Sequence, residues 1–201
     1  MAISIEQIKQ LREETGAGVL DCRKALETYD GDFEKAKEYL REKGLAKAAK
    51  RADRVVTEGM LELYSHGNGR VGVMVEVNCE TDFVARSESF RKFAHEVALQ
   101  IAAGAPKYIR VEDIPAEVLE QERQKAREMA RVEGKRENEI DQAIEDWVEK
   151  FYKDNCLLQQ NYVRDEKVTL ADLRNQHIAA IGENIVIRRF ARWEVGEDAQ
   201  Q

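Results

Sequence analysis

The stretch Val73-Met74-Val75-Glu76-Val77-Asn78-Cys79-Glu80-Thr81-Asp82-Phe83-Val84-Ala85-Arg86 joins a strand to a helix and decides how the chain is read. Val73, Val75 and Val77 fall on one face at period two, and Asn78 marks the expected end of the strand. From about Ser87 the spacing becomes helical, with Phe90, Phe93, Ala94, Val97, Ala98 and Ile101 at i, i+3 and i+4. Between them, Thr81-Asp82-Phe83-Val84 sets an acid beside a large aromatic where the chain must turn. Strand-to-helix turns usually lie at the surface, where loops carry function more often than packing. The Phe83 ring is either tucked under the turn or offered to a partner. Local grounds favour the tucked ring, because most aromatics belong to cores.

Immediately upstream, Met60, Glu62 and Tyr64 alternate with Gly59, Leu61, Leu63 and Ser65. His66-Gly67-Asn68-Gly69 then closes a hairpin onto residues 70–78, glycine and asparagine supplying positive φ. Residues 1–45 read as a module of three short helices. Ser4 with Gln7 is a capping-box pattern, followed by the apolar stripe Ile5, Ile8, Leu11. Gly16 and Gly18 break that helix, and a second over 19–29 turns Cys22, Ala25, Leu26 and Tyr29 inward. Asp32 caps a third bearing Phe33, Ala36, Tyr39 and Leu40, and Gly44 stands where a helix C′ residue belongs. Residues 46–57 form a basic linker or helical extension, in which Lys47, Lys50, Arg51 and Arg54 read as a solvated face.

Downstream, Pro115 opens a long charged helix to about Glu133, and Gly134 breaks it. Asn138 is the expected cap of the next helix, striped by Ile140, Ile144, Trp147, Val148 and Phe151. The two pack as a helical hairpin with Trp147 in its core. An extended piece follows through Tyr162 and Val163, and Thr169 with Asp172 starts a helix that Gly182 stops. The last strand sets Ile185, Ile187, Arg189, Ala191 and Trp193 against Val186, Arg188, Phe190 and Arg192. Residues 197–201 read as a frayed tail. The expected fold is α+β: a three-helix bundle (1–45), the basic linker, and an α+β core (58–196) with a small antiparallel sheet.

At 201 residues, 43% apolar and 35% charged, the chain is globular and unusually charged. Its formal net charge of -7 argues against general nucleic-acid binding, which needs a basic footprint. The N-terminus has no basic and apolar leader pattern, and no run approaches the ~20 apolar residues of a membrane span. A cytoplasmic protein without a membrane partner is expected. Cys22, Cys79 and Cys156 are far apart and odd in number, which reads as reduced structural thiols, the alternative being one intermolecular disulfide in a dimer.

No catalytic constellation emerges. His66, His95 and His177 lack ligand spacing, Gly16-Ala17-Gly18 lacks a phosphate-loop lysine, and the serines occupy no nucleophile elbow. No active site, cofactor or metal is expected. The chain reads as one that acts by touching another protein.

Three longer patterns carry a resemblance. Leu11-Arg12-Glu13-Glu14-Thr15-Gly16-Ala17-Gly18-Val19-Leu20-Asp21-Cys22-Arg23-Lys24-Ala25-Leu26 comes first, then Asn78-Cys79-Glu80-Thr81-Asp82-Phe83-Val84-Ala85-Arg86. Ile181-Gly182-Glu183-Asn184-Ile185 follows, ahead of Arg188-Arg189-Phe190. Their order and content resemble bacterial elongation factor Ts in its short form, along essentially the whole chain.

The resemblance implies a guanine-nucleotide exchange factor for elongation factor Tu in its GDP-bound and nucleotide-free states. It also implies an N-terminal module similar to a ubiquitin-associated domain. Contacts to the partner's nucleotide domain then map onto Arg12, Val19 and Leu20, and contacts near its magnesium site onto Thr81, Asp82, Phe83 and Val84. Pairing through the core sheet implies a homodimer. The family pattern departs at Asn161, where proline is usual, and at Glu145-Asp146-Trp147, where Glu-Gly-Arg is common; these touch loop shape only. The resemblance reverses the local reading of Phe83, which becomes an exposed probe. Two rivals are a translation-linked scaffold or chaperone that leaves nucleotide release unchanged, and an RNA-binding factor using residues 47–54.

Overall fold

The computed structural model describes residues 3–197, so the expected tail lies outside the described residues apart from Glu197. Helix α1 (Ile5–Thr15) starts with the reciprocal cap foreseen in the sequence: Gln7 N–H donates to Ser4 Oγ and Ser4 N–H to Gln7 Oε1. Gly16, at φ 65°, ends it in the left-handed conformation, and Gly18 holds the N-cap of α2 (Val19–Thr28). Asp32 caps α3 (Phe33–Ala49) by accepting the Lys35 N–H. Leu11, Cys22, Ala25, Leu26, Ala36 and Leu40 form a small core of their own, while Ile5 stays exposed.

Helix α3 does not stop at Gly44. It runs on to Ala49, with Gly44 buried against α8 (Leu170–Ile181). A Cβ on Gly44 would meet that of Ala179 at 3.7 Å, ordinary van der Waals contact, so the glycine lies at a helix crossing rather than at a helix end. The basic stretch is also not a free solvated face. Lys47 pairs with Asp21, Arg51 donates to the Gly182 and Lys47 carbonyls, and Arg54 reaches Glu80.

The body is built on a three-stranded antiparallel sheet in the order β1-β2-β5, with β1 (Glu58–His66), β2 (Val71–Cys79) and β5 (Val186–Glu194). Strand β2 continues one residue past Asn78, and a single helical turn, α4 (Asp82–Ala85), precedes α5 (Glu88–Gly104), which Ser87 caps. Val73, Val75 and Val77 face Phe90, Phe93, Val97 and Ile101, all nearly or fully buried. Each such side chain contributes roughly 1.5–3 kcal/mol relative to exposure.

Strand β5 departs from the simple alternation. Val77 pairs with Ile187 but Glu76 pairs with Arg189, so Arg188 is an extra residue in a β-bulge. The bulge flips the strand's phase. Ile185, Ile187, Phe190 and Arg192 face inward, and Arg189, Ala191 and Trp193 face out.

Helices α6 (Ala116–Val132) and α7 (Glu137–Asn155) form the expected hairpin. Arg136, not Asn138, takes the α7 cap position, its N–H donating to the Glu139 carboxylate at 3.0 Å. Trp147 is half-buried rather than core, its indole N–H donating to Glu122 on α6 at 3.1 Å. The extended piece is one arm of a two-stranded hairpin, β3 (Asn161–Tyr162) with β4 (Asp165–Thr169). The Thr169–Asp172 box then opens α8 (Leu170–Ile181), which Gly182 ends at φ 91°. A helical bundle followed by helices packed on a small antiparallel sheet is an α+β fold. No helix among the described residues is long and apolar enough to cross a membrane.

Candidate functional site

Phe83 is 81% exposed, one of the most exposed large apolar side chains among the described residues. It sits on α4 between two neighbours of opposite habit. Asp82 points to solvent and pairs with Arg86 at 3.0 Å, while Val84 is buried in the main core. An exposed pair of this kind contributes little to stability, so the turn must be held by other means.

Those means are visible in the backbone. Thr81 is the N-cap of α4, its hydroxyl accepting the Val84 N–H at 3.3 Å and donating to Glu183 Oε1 at 2.7 Å. The N–H groups of Glu80 and Thr81 both donate to Glu183 Oε2 at 3.1 Å. Beneath the turn, the Cys79 thiol donates to the Thr81 carbonyl at 3.2 Å. Burial, with Glu183 close by, pushes that thiol up to about 11. Downstream, Ser87 closes the segment, its hydroxyl and N–H donating to the Val84 carbonyl. Of the predicted turn residues, Thr81 caps, Val84 anchors, and Asp82 and Phe83 are presented outward.

The second group lies on the N-terminal bundle. Leu20 is 81% exposed and Val19 about half, both in the first turn of α2, and Arg12 is exposed in the last turn of α1. The connection between these helices is fixed by Thr15, whose hydroxyl donates to the Leu11 carbonyl at 2.6 Å and accepts the Ala17 N–H. Asp21, next to Leu20, receives Lys43 at 2.7 Å and Lys47 at 3.0 Å, which ties the start of α2 to α3. Those two ammonium groups hold its carboxyl below the usual carboxylate range. The predicted residues therefore form two groups on separate hydrophobic clusters, one on the braced start of α4 and the other where α1 ends and α2 begins.

Sequence reasoning quoted Glu183 and Asn184 within a pattern but gave them no role. Their partners lie more than one hundred positions away, so no local spacing could have signalled them. The sheet's outer face is a third exposed region. Leu63 and Ala191 flank Met74, and Trp193 stands opposite Gly72, with Leu63 and Trp193 each 72% exposed. Grooves run along β5 and between α3 and α8, but neither is lined by residues 81–84. Among the described residues no group of three or more His, Cys, Asp or Glu is placed to hold a metal ion. All three cysteines are free and buried. An intermolecular disulfide would require a thiol to leave the interior.

Comparison with known proteins agrees with the patterns read above. A family model described as "Elongation factor TS" matches residues 27–177. The elongation factor Ts of Caldanaerobacter subterraneus subsp. tengcongensis is 58% identical over 199 residues, covering 99% of this chain and 100% of that protein. That of Thermoanaerobacter sp. is 56% identical over 195 residues, covering 97% and 96%, and that of Coprothermobacter proteolyticus 54% over 197, covering 98% and 100%. Arg12, Val19, Leu20 and Glu183 lie outside the matched family region but inside the span of these relatives. On both grounds the chain belongs to the elongation factor Ts family of translation elongation factors.

Proposed function

We propose that the protein is a guanine-nucleotide exchange factor for elongation factor Tu, acting by contact and without an active site of its own. The observation that carries the reading is the Phe83 ring, 81% exposed on a turn whose backbone is tied down on both sides. Burying one aromatic ring in a partner supplies roughly 1.5–3 kcal/mol. The magnesium ion in the partner's nucleotide site bridges the β-phosphate and the protein's own ligands, so a small displacement of the element holding it weakens the nucleotide. Phe83 wedges between apolar side chains of that element, while Val19, Leu20 and Arg12 engage the nucleotide domain from the N-terminal bundle. Linkage makes the effect reciprocal: GTP weakens the factor's grip as much as the factor weakens nucleotide, and the cycle turns over.

The same reading places the protein in the cytoplasm as a homodimer. The dimer is supported by the apolar outer sheet face, where Leu61, Leu63, Met74 and Trp193 stand exposed on neighbouring strands. A contiguous apolar face of this kind is a liability on a monomer.

The test is release of fluorescent GDP from elongation factor Tu. An exchange factor speeds release in a saturable manner. A scaffold or chaperone binds and leaves the rate where it was, and that result overturns the proposal.

A further inference from the structure

We propose that Glu183, on the loop between α8 and β5, is a positioning residue that aims the Phe83 ring at the partner; this rests on the exchange reading. The Phe83 side chain, mostly in solvent, has little of its own to fix its direction. That direction comes from the backbone of α4, and the backbone entering α4 hangs from one carboxylate. At the end of β2 the N–H groups of Glu80 and Thr81 have no main-chain acceptor among the described residues, and both donate to Glu183 Oε2 at 3.1 Å. The Thr81 hydroxyl adds a third bond to Oε1 at 2.7 Å. Bonds to an ionised acceptor are about twice as strong as neutral ones, and three converge here.

The loop that presents Glu183 is itself fixed. Gly182 ends α8 in the left-handed conformation, and its carbonyl accepts Arg51 Nε at 2.9 Å. Asn184, almost fully buried, donates its side-chain amide to the Ala52 and Arg54 carbonyls. Its own N–H donates to Glu80 Oε1 at 2.7 Å. The two loops therefore exchange carboxylates, Glu80 serving the backbone of the 182–184 loop and Glu183 serving that of the 80–81 turn. Arg51, Ala52 and Arg54 follow directly on α3, the helix that holds the start of α2 through Asp21. One joint thus references both groups of contact residues to a common frame. A ring that displaces part of a partner must transmit force, and a turn released from Glu183 gives way instead.

The experiment measures GDP release from elongation factor Tu against factor concentration for wild type, Glu183→Ala and Glu183→Gln. It also measures amide hydrogen exchange of the free factors. Glu183→Ala is expected to lower the maximal release rate about tenfold while the half-saturating concentration stays within about twofold, since the ring is present but poorly aimed. Glu183→Gln keeps an acceptor oxygen for the two amides and is expected to lose only about threefold. The amides of Glu80 and Thr81 should exchange about tenfold faster in Glu183→Ala, while those of Val75 and Val97 stay protected. If Glu183→Ala also loosens the core amides, Glu183→Gln alone decides, through its release rate and the same two turn amides. Wild-type release rates in the deciding variant overturn the assignment. So does a loss seen only in half-saturation with the Glu80 and Thr81 amides still protected. Failure of wild type itself to speed release overturns the exchange reading, and this proposal with it.

Discussion

Replacing Phe83 by alanine separates a contact residue from a core residue more sharply than any other substitution in the chain. The ring is 81% exposed, whereas Phe90 and Phe93, on the helix that follows, are 0% exposed. Truncating either buried ring costs about 3–5 kcal/mol of stability. Truncating Phe83 removes almost no buried surface and leaves the Thr81 cap, the Val84 anchor and the Ser87 closure intact, so stability should change by less than about 0.5 kcal/mol. Exchange should respond differently. If the ring is fully buried at the partner, its loss removes roughly 1.5–3 kcal/mol, a factor of about 10 to 150 in release rate at subsaturating factor. The assay is fluorescent GDP release beside thermal unfolding of the same preparations. At low Mg²⁺ spontaneous release is already fast, and the gap between wild type and Phe83→Ala should narrow. A variant that exchanges as fast as wild type refutes the wedge, and one whose melting temperature falls by ten degrees or so refutes the exposed placement.

Other outcomes follow from the same structure. The apolar outer sheet face predicts twice the chain mass in sedimentation for the native protein and a single-chain mass for Trp193→Glu, exposed on that face; an unchanged dimer in the variant rejects that face as the interface. A Cβ at Gly59 would lie 2.2 Å from the Val77 carbonyl oxygen, so Gly59→Ala should cost about 1–3 kcal/mol, seen as a fall of several degrees in melting temperature. An unshifted transition would contradict that contact. Burial, with Lys92 nearby and Glu96 opposing, pushes the His177 imidazole down to about 4 from its ordinary 6.5. Below pH 6.5 the unfolded chain takes up a proton that the folded chain refuses. Stability present above that pH is therefore lost progressively toward pH 4, on the order of 3 kcal/mol in all. His177→Gln should flatten this acid limb in denaturant titrations, and parallel limbs would remove His177 as the cause.

Much of the fold was legible because its signals are local. The Ser4–Gln7 and Thr169–Asp172 boxes, the glycine stops at Gly16 and Gly182, and the period-two run of Val73, Val75 and Val77 each declare themselves within a few residues. The misread features answer to something distant. Gly44 looks like a helix end until α3 is seen to run on to Ala49 and to pack there against Ala179 on α8. The alternation of β5 changes phase at Arg188 because of pairing with β2, which no inspection of β5 alone reveals. Trp147 finds its partner in Glu122 on the facing helix. The candidate site divides the same way. Its sequence patterns named Thr81, Asp82, Phe83 and Val84, but the carboxylate that ties the backbone entering this turn lies more than one hundred positions along the chain.

The central claim, that this chain loosens nucleotide instead of merely holding its partner, is a statement about differential affinity. A ligand with equal affinity for two states shifts neither. Calorimetric titration of the protein into nucleotide-free and into Mg²⁺–GDP-bound elongation factor Tu measures that difference directly. Binding to the nucleotide-free form should be tighter by about tenfold or more, matched by an equal weakening of GDP in the presence of the protein. Equal affinity for the two forms would contradict it.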